Sequence, residues 1–170
     1  FENINDDSVL IKLIVQNNKL KPYDLDSLAK KMGLSHNILN EYLVKVNISF
    51  YGNKKNPWLL TDIQKNDIFE RILIFLDDFH SKNKYLRGVT KEQINAVFNF
   101  DINLLNELLI SLINDKKINF KKEIYFLNSF EIKLDEKDQK TQQNIIDQLN
   151  KEKFNTSSIK ELSEIFNYNE

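Results

Sequence analysis

The sequence predicts a mainly α fold with small β-hairpins, an α+β arrangement built from tandem helix-turn-helix modules. The chain repeats itself. Gly33-Leu34-Ser35 runs into Ile38-Leu39-Asn40-Glu41-Tyr42-Leu43, and Asn99-Phe100-Asp101 runs into Leu104-Leu105-Asn106-Glu107-Leu108-Leu109. The two Leu-Asn-Glu triplets fall in one register, each with a leucine two places on. Phe166-Asn167-Tyr168-Asn169 repeats the first half once more. A spacing of roughly 65 to 70 residues is that of a small repeated domain. Each copy reads as helix, tight turn, short polar cap and second helix. Each complete copy is followed by two short strand-like runs.

In the first module Ser8 is the expected cap of a helix carrying Val9, Leu10, Leu13 and Ile14. Lys21-Pro22-Tyr23 breaks it, and Asp24 or Asp26 caps a short helix with Leu28 and Met32 inward. Gly33 stands where a helix end takes a left-handed residue. Ser35 caps the next helix, whose Ile38, Leu39, Tyr42, Leu43 and Val46 recur at helical spacing. Ile48 to Tyr51 and Trp58 to Leu60 flank a turn-rich loop, which predicts a hairpin. Three helices followed by a hairpin make a winged helix, assigned to residues 1–61.

The second winged helix is assigned to 62–132. It opens with a long helix from about Thr61 to His80, with Ile68, Ile72, Phe75, Leu76 and Phe79 on one face. Ser81 to Arg87 reads as a polar loop and Gly88 as a turn. Thr90 and Gln93 have capping-box spacing ahead of Ile94, Val97 and Phe98. Asp101 caps a helix with Leu104, Leu105, Leu108, Leu109 and Leu112 inward. Ile118 to Lys121 and Glu123 to Phe126 alternate like a hairpin. Residues 133–170 are assigned to an incomplete third winged helix holding its first two helices only. Glu131 to Lys137 is its connector, and one helix runs from Asp138 with Ile145, Ile146 and Leu149 inward. A second, capped by Ser157 or Ser158, carries Leu162, Ile165 and Phe166, and Asn169 is the expected cap of a third.

Composition narrows the functions. With 41% hydrophobic and 29% charged residues, the 170-residue chain has ordinary globular proportions. A net charge of -1 lacks the basic excess of a dedicated nucleic-acid binder, so any such role rests on local patches. The absence of cysteine excludes disulfide scaffolds, thiolate zinc sites and cysteine nucleophiles, and accords with a cytoplasmic location. No apolar run approaches the roughly 18 residues of a membrane span, so no membrane partner is expected. The first residues form neither a signal peptide nor an initiator methionine, and the chain reads as a segment of a longer protein.

Catalytic chemistry is not expected. His36 and His80 belong to different modules, whereas a metal site needs clustered ligands. Asp77 and Asp78 are adjacent on a helix and point about 100° apart. Neither a Walker A pattern nor a dinucleotide glycine fingerprint occurs. The candidate RNA-backbone contacts are Lys54 and Lys55 in the first hairpin loop, and Lys116, Lys117, Lys121 and Lys122 around the second. The plainer reading is that these lysines keep hairpin edges soluble. The outward candidates on the recognition-type helices are Asn37, Asn40, Glu41 and Lys45, then Asn103, Asn106, Glu107 and Asn114. Each set carries a glutamate and no arginine, which weighs against reading a duplex groove.

Phe79-His80-Ser81-Lys82-Asn83, then Gly88-Val89-Thr90-Lys91-Glu92-Gln93-Ile94, Leu104 to Leu109, Leu134-Asp135 and Phe154 to Leu162 resemble the C-terminal winged-helix region of the selenocysteine-specific elongation factor SelB family. Lys84 and Asn155-Thr156 stand where that family carries prolines. The resemblance implies a non-catalytic arm between a GTPase part, which takes GTP, Mg and selenocysteinyl-tRNA, and a far winged helix that grips an mRNA hairpin at the ribosome. The GTPase part and the last winged helix are absent from this chain, which is then expected to need no cofactor and to bind RNA weakly or not at all by itself. The alternatives are a tandem winged-helix DNA-binding regulator and a protein-interaction array.

Overall fold

The computed structural model describes residues 7–18, 21–46, 48–152 and 157–166. The fold is mainly helical with small antiparallel sheets. It separates into two compact units, Phe1–Glu131 and Ile132–Glu170.

The first unit begins with α1 (Asp7–Asn17), β1 (Tyr23–Asp24), α2 (Leu25–Met32), α3 (His36–Lys45), β2 (Ser49–Tyr51) and β3 (Trp58–Leu60). Short polar side chains start the helices. Asp24 accepts from the Ser27 N–H to cap α2, and Ser35 accepts from the Ile38 N–H to cap α3. Gly33 takes the left-handed conformation that ends α2. Ile11, Val15, Leu28, Leu39, Leu43 and Leu59 form one buried core. The reading of α1 differs: Ser8 lies inside the helix, and Val9, Leu10 and Leu13 are exposed. Its inward line is Ile11 and Val15, four apart on one face. Ile38 is likewise exposed, because Leu39 and Leu43 set the inward axis of α3. Tyr23-Asp24 adds a strand that carries no periodicity to read. It pairs with β3, so the antiparallel sheet runs β1-β3-β2, with Tyr23 opposite Leu59 and Tyr51 opposite Trp58.

Next come α4 (Asp62–Lys82), α5 (Lys91–Phe98), α6 (Ile102–Asn114), β4 (Ile118–Lys121) and β5 (Ile124–Leu127). Capping boxes start α4, through Thr61 and Gln64, and α5, through Thr90 and Gln93; Asp101 caps α6. Helix α4 continues through Ser81 and Lys82, into the expected polar loop. Ile68, Ile72, Leu76, Ile94 and the five α6 leucines make a second core, whereas Val97 is exposed. Gly88 is more than a turn residue. A Cβ there would lie 2.1 Å from the Tyr125 carbonyl oxygen, because Val89 bridges to Tyr125 along the outer edge of β5.

The second unit contains α7 (Glu136–Glu152) and α8 (Ile159–Phe166). Helix α7 starts before Asp138, because Asp135 accepts from the Asp138 N–H at 2.8 Å and takes the capping role. Ser158 and Glu161 bond reciprocally at the start of α8. Ile145, Leu149, Leu162 and Phe166 are half-buried, Ile146 and Ile165 exposed. The expected cap Asn169 lies outside the described residues.

Candidate nucleic-acid interface

Lys54 and Lys55 stand exposed on the loop joining β2 to β3. That loop is held from two sides. Asn56 accepts from the Asp26 N–H at 2.9 Å and donates to Asp24 at 3.2 Å, while Pro57 accepts from the Leu25 N–H at 2.9 Å. Burial pushes the Asp24 carboxyl up, but hydrogen bonds from Ser27 and Asn56 outweigh it and hold the group below its ordinary value. On the other side, Gly52 abuts the start of α6: a Cβ on it would lie 3.7 Å from the Asn103 Cβ. Tyr51 and Trp58, half-buried, pack on the second core.

This seat changes the outward faces. On α3, Asn37, Asn40, Glu41 and Lys45 are exposed, with Val44 beside them. On α6, Asn103, Asn106 and Glu107 line a shallow hollow closed by Gly52 and Asn53. Asn106 accepts from Lys91 Nζ at 2.9 Å. Asn114, at the last turn of α6, is exposed. The first hairpin therefore half-covers Asn106 and Glu107, while Ile102 and Asn103 at the start of α6 stay exposed.

The four later lysines divide between the base and tip of the second hairpin, roughly 13 Å apart along β4 at about 3.3 Å per residue. Lys116 takes a left-handed conformation after α6, and Lys117 places its ammonium 6.0 Å from the Phe69 ring centroid. Lys121 ends β4 opposite Ile124, and Lys122 with Glu123 forms the two-residue turn. All four are exposed. The sequence reading missed two neighbours. The Arg87 guanidinium lies 5.5 Å from the Phe126 ring, and Phe120 packs against Tyr125 with ring centroids 4.6 Å apart. Alternation in β4 signals which way Phe120 points, but not that the core ends before it.

The histidines do not converge. His36 Nε2 lies 2.9 Å from Asp26, whereas His80 is buried with Nε2 donating to the Arg87 carbonyl at 3.0 Å. Asp78 pairs with Lys82 at 2.7 Å. Among the described residues, no group of three or more His, Asp or Glu side chains is placed to hold a metal ion.

No protein-family model matches the chain, and no curated protein does. Among the described residues, no single helix is long and apolar enough to cross a membrane.

Proposed function

We propose that this chain is the non-catalytic winged-helix arm of a selenocysteine-specific translation elongation factor, linking the GTPase and tRNA-binding part to the end that holds the mRNA hairpin. The reading treats 1–61 and 62–132 as winged helices and 133–170 as the start of a third. The observation that carries it is the seat of the first hairpin. Tyr51 and Trp58 insert at the second core, and Gly52 abuts Asn103. A hairpin used this way is not free to track a nucleic-acid groove. It stiffens the passage between neighbouring modules, which a spacer between two distant binding sites requires. The motif run from Phe79 to Leu109, which resembles that family, supports the choice of factor. GTP, Mg, selenocysteinyl-tRNA and the ribosome are engaged by the rest of the factor, in the cytoplasm. Lys54, Lys55, Lys116, Lys117, Lys121 and Lys122 contribute weak, sequence-indifferent phosphate contact.

Electrophoretic mobility shifts of the chain with hairpin RNA test the spacer role. Weak binding with little sequence preference is expected, and tight, sequence-specific binding would refute it. A steep salt dependence on generic duplex DNA would instead favour a regulator.

A further inference from the structure

The second hairpin runs past the core it closes. Ile118 and Leu127 oppose each other over that core, and one step along the same face Phe120 opposes Tyr125. Ile118 is 1% exposed and Phe120 is 49% exposed. Val89 exchanges both backbone hydrogen bonds with Tyr125, at 3.0 and 2.8 Å, so β5 is the inner strand and β4 the edge. Lys121 and Lys122 follow Phe120 directly, and Arg87 lies over Phe126 on the opposite face. The hairpin tip thus presents an open aromatic face with Lys122 at its turn, Lys121 and Arg87 on the opposite face, and the carboxylates of Glu123 and Glu92 nearby. A duplex offers such a surface only its phosphates. An unpaired strand offers phosphates and the flat faces of its bases, and base–aromatic stacking is indifferent to sequence.

We propose that the tip of the second hairpin binds unpaired RNA, one base stacking on Phe120 beside Tyr125 and the adjoining phosphates meeting Lys122 at the turn and, across the β4 edge, Lys121. This deepens the arm reading and rests on it for the choice of RNA. The test is fluorescence anisotropy on the whole chain with a labelled oligouridylate of about twelve nucleotides, within the size range of single-strand sites. The same length of RNA duplex and of oligothymidylate are the comparison arms. The single RNA strand should bind several-fold tighter than the duplex. Phe120→Ala should weaken it about tenfold while leaving duplex binding unchanged, and Phe120→Trp should restore it. Lys121→Glu with Lys122→Glu should weaken strand and duplex alike. Circular dichroism keeps a misfolded variant from being counted. Equal affinity for strand and duplex, tighter binding to the DNA strand, indifference to both Phe120 substitutions, or no shift with any strand overturns the proposal. Tight recognition of one hairpin sequence would sink the spacer role and leave the Phe120 comparison standing.

Discussion

Gln64 donates its side-chain amide to the Val15 carbonyl at 2.6 Å, joining the first turn of α4 to the last turn of α1. The same amide reaches the Asn18 carbonyl at 3.2 Å, and its oxygen accepts from the Thr61 N–H at 3.0 Å. One side chain, 2% exposed, therefore completes a capping box and gives a second donor to two carbonyls at a helix end. Gln64→Ala takes the acceptor from the buried Thr61 N–H and leaves the Val15 and Asn18 carbonyls only their longer bonds from the Asn18 and Lys21 N–H groups, and should lower the stability of the first unit by about 1 to 3 kcal/mol in urea unfolding. Gln64→Glu keeps the acceptor toward Thr61 but turns a carboxylate toward two carbonyls. It should be less stable at neutral pH than at acidic pH, where a protonated carboxyl can donate. A Gln64→Ala variant unfolding at the parent's midpoint would remove Gln64 as the tie between the two cores.

Gly88 is needed for space rather than for an unusual backbone angle. A methyl group there meets the Tyr125 carbonyl at 2.1 Å and the Phe126 Cβ at 2.9 Å. The Val89 bridge to β5 cannot form without that approach. Gly88→Ala should destabilise by about 3 kcal/mol, the upper part of the usual overpacking range. Gly33→Ala meets no neighbour within 4 Å but keeps a left-handed φ of 66°, and should cost only about 1 kcal/mol. Thermal melts of the two variants should therefore differ clearly, with Gly88→Ala the lower.

Helix positions were legible wherever a signal is local. Ser35, Thr90 and Asp101 cap the helices they precede, and Gly33 ends one, because each acts within a turn of itself. Thr61 and Gln64 have the same capping-box spacing as Thr90 and Gln93, and both boxes form. What Gln64 reaches, the end of α1, is 49 residues away and has no sequence signature. The two-residue strand Tyr23–Asp24 is too short to show alternation. At the candidate site, exposed lysines around two hairpins could be read from composition and turn residues. The covering of Asn106 and Glu107 could not, since it depends on how the first hairpin lies on α6. Arg87 over Phe126 was hidden for the same reason: a loop and a strand meet only in the folded chain.

The turn at the second hairpin tip is strained. With Lys121 opposite Ile124, only Lys122 and Glu123 connect the strands, at φ of 51° and 63°. Two positive angles in a two-residue loop call for Asn-Gly, and ordinary side chains cost roughly 1 to 2 kcal/mol per residue there. Replacing Lys122→Asn and Glu123→Gly together should stabilise the first unit by about 1 kcal/mol or more in urea unfolding. Phe120 and Lys121 are untouched by this exchange. An unchanged or lowered midpoint would show that the lysine and glutamate make compensating contacts at the tip.

His80 makes stability depend on pH. Its ring is 4% exposed and lies flat on Phe130, with centroids 3.8 Å apart and planes 6° from parallel. A carbonyl can only accept, so the bond to Arg87 places the neutral ring's proton on Nε2. Nδ1 is buried with no hydrogen-bond partner, so a second proton there would be buried without an acceptor. Burial pushes the His80 pKa below its ordinary 6.5, against smaller upward effects from the Arg87 carbonyl and the Asp77 charge. The unfolded chain takes up the proton near 6.5 and the folded chain only at lower pH. Protonation therefore favours unfolding: the full stability is present above pH 6.5, and part of it is lost as pH falls through 6.5 toward the folded value. The urea midpoint should accordingly drop between pH 7.5 and 5.5. His80→Phe removes the titrating group while keeping an aromatic face for Phe130. It should lower the midpoint at pH 7.5, since the Arg87 carbonyl loses its donor, yet show a smaller drop on acidification than the parent. Parallel pH profiles for parent and variant would assign the acid sensitivity to other groups.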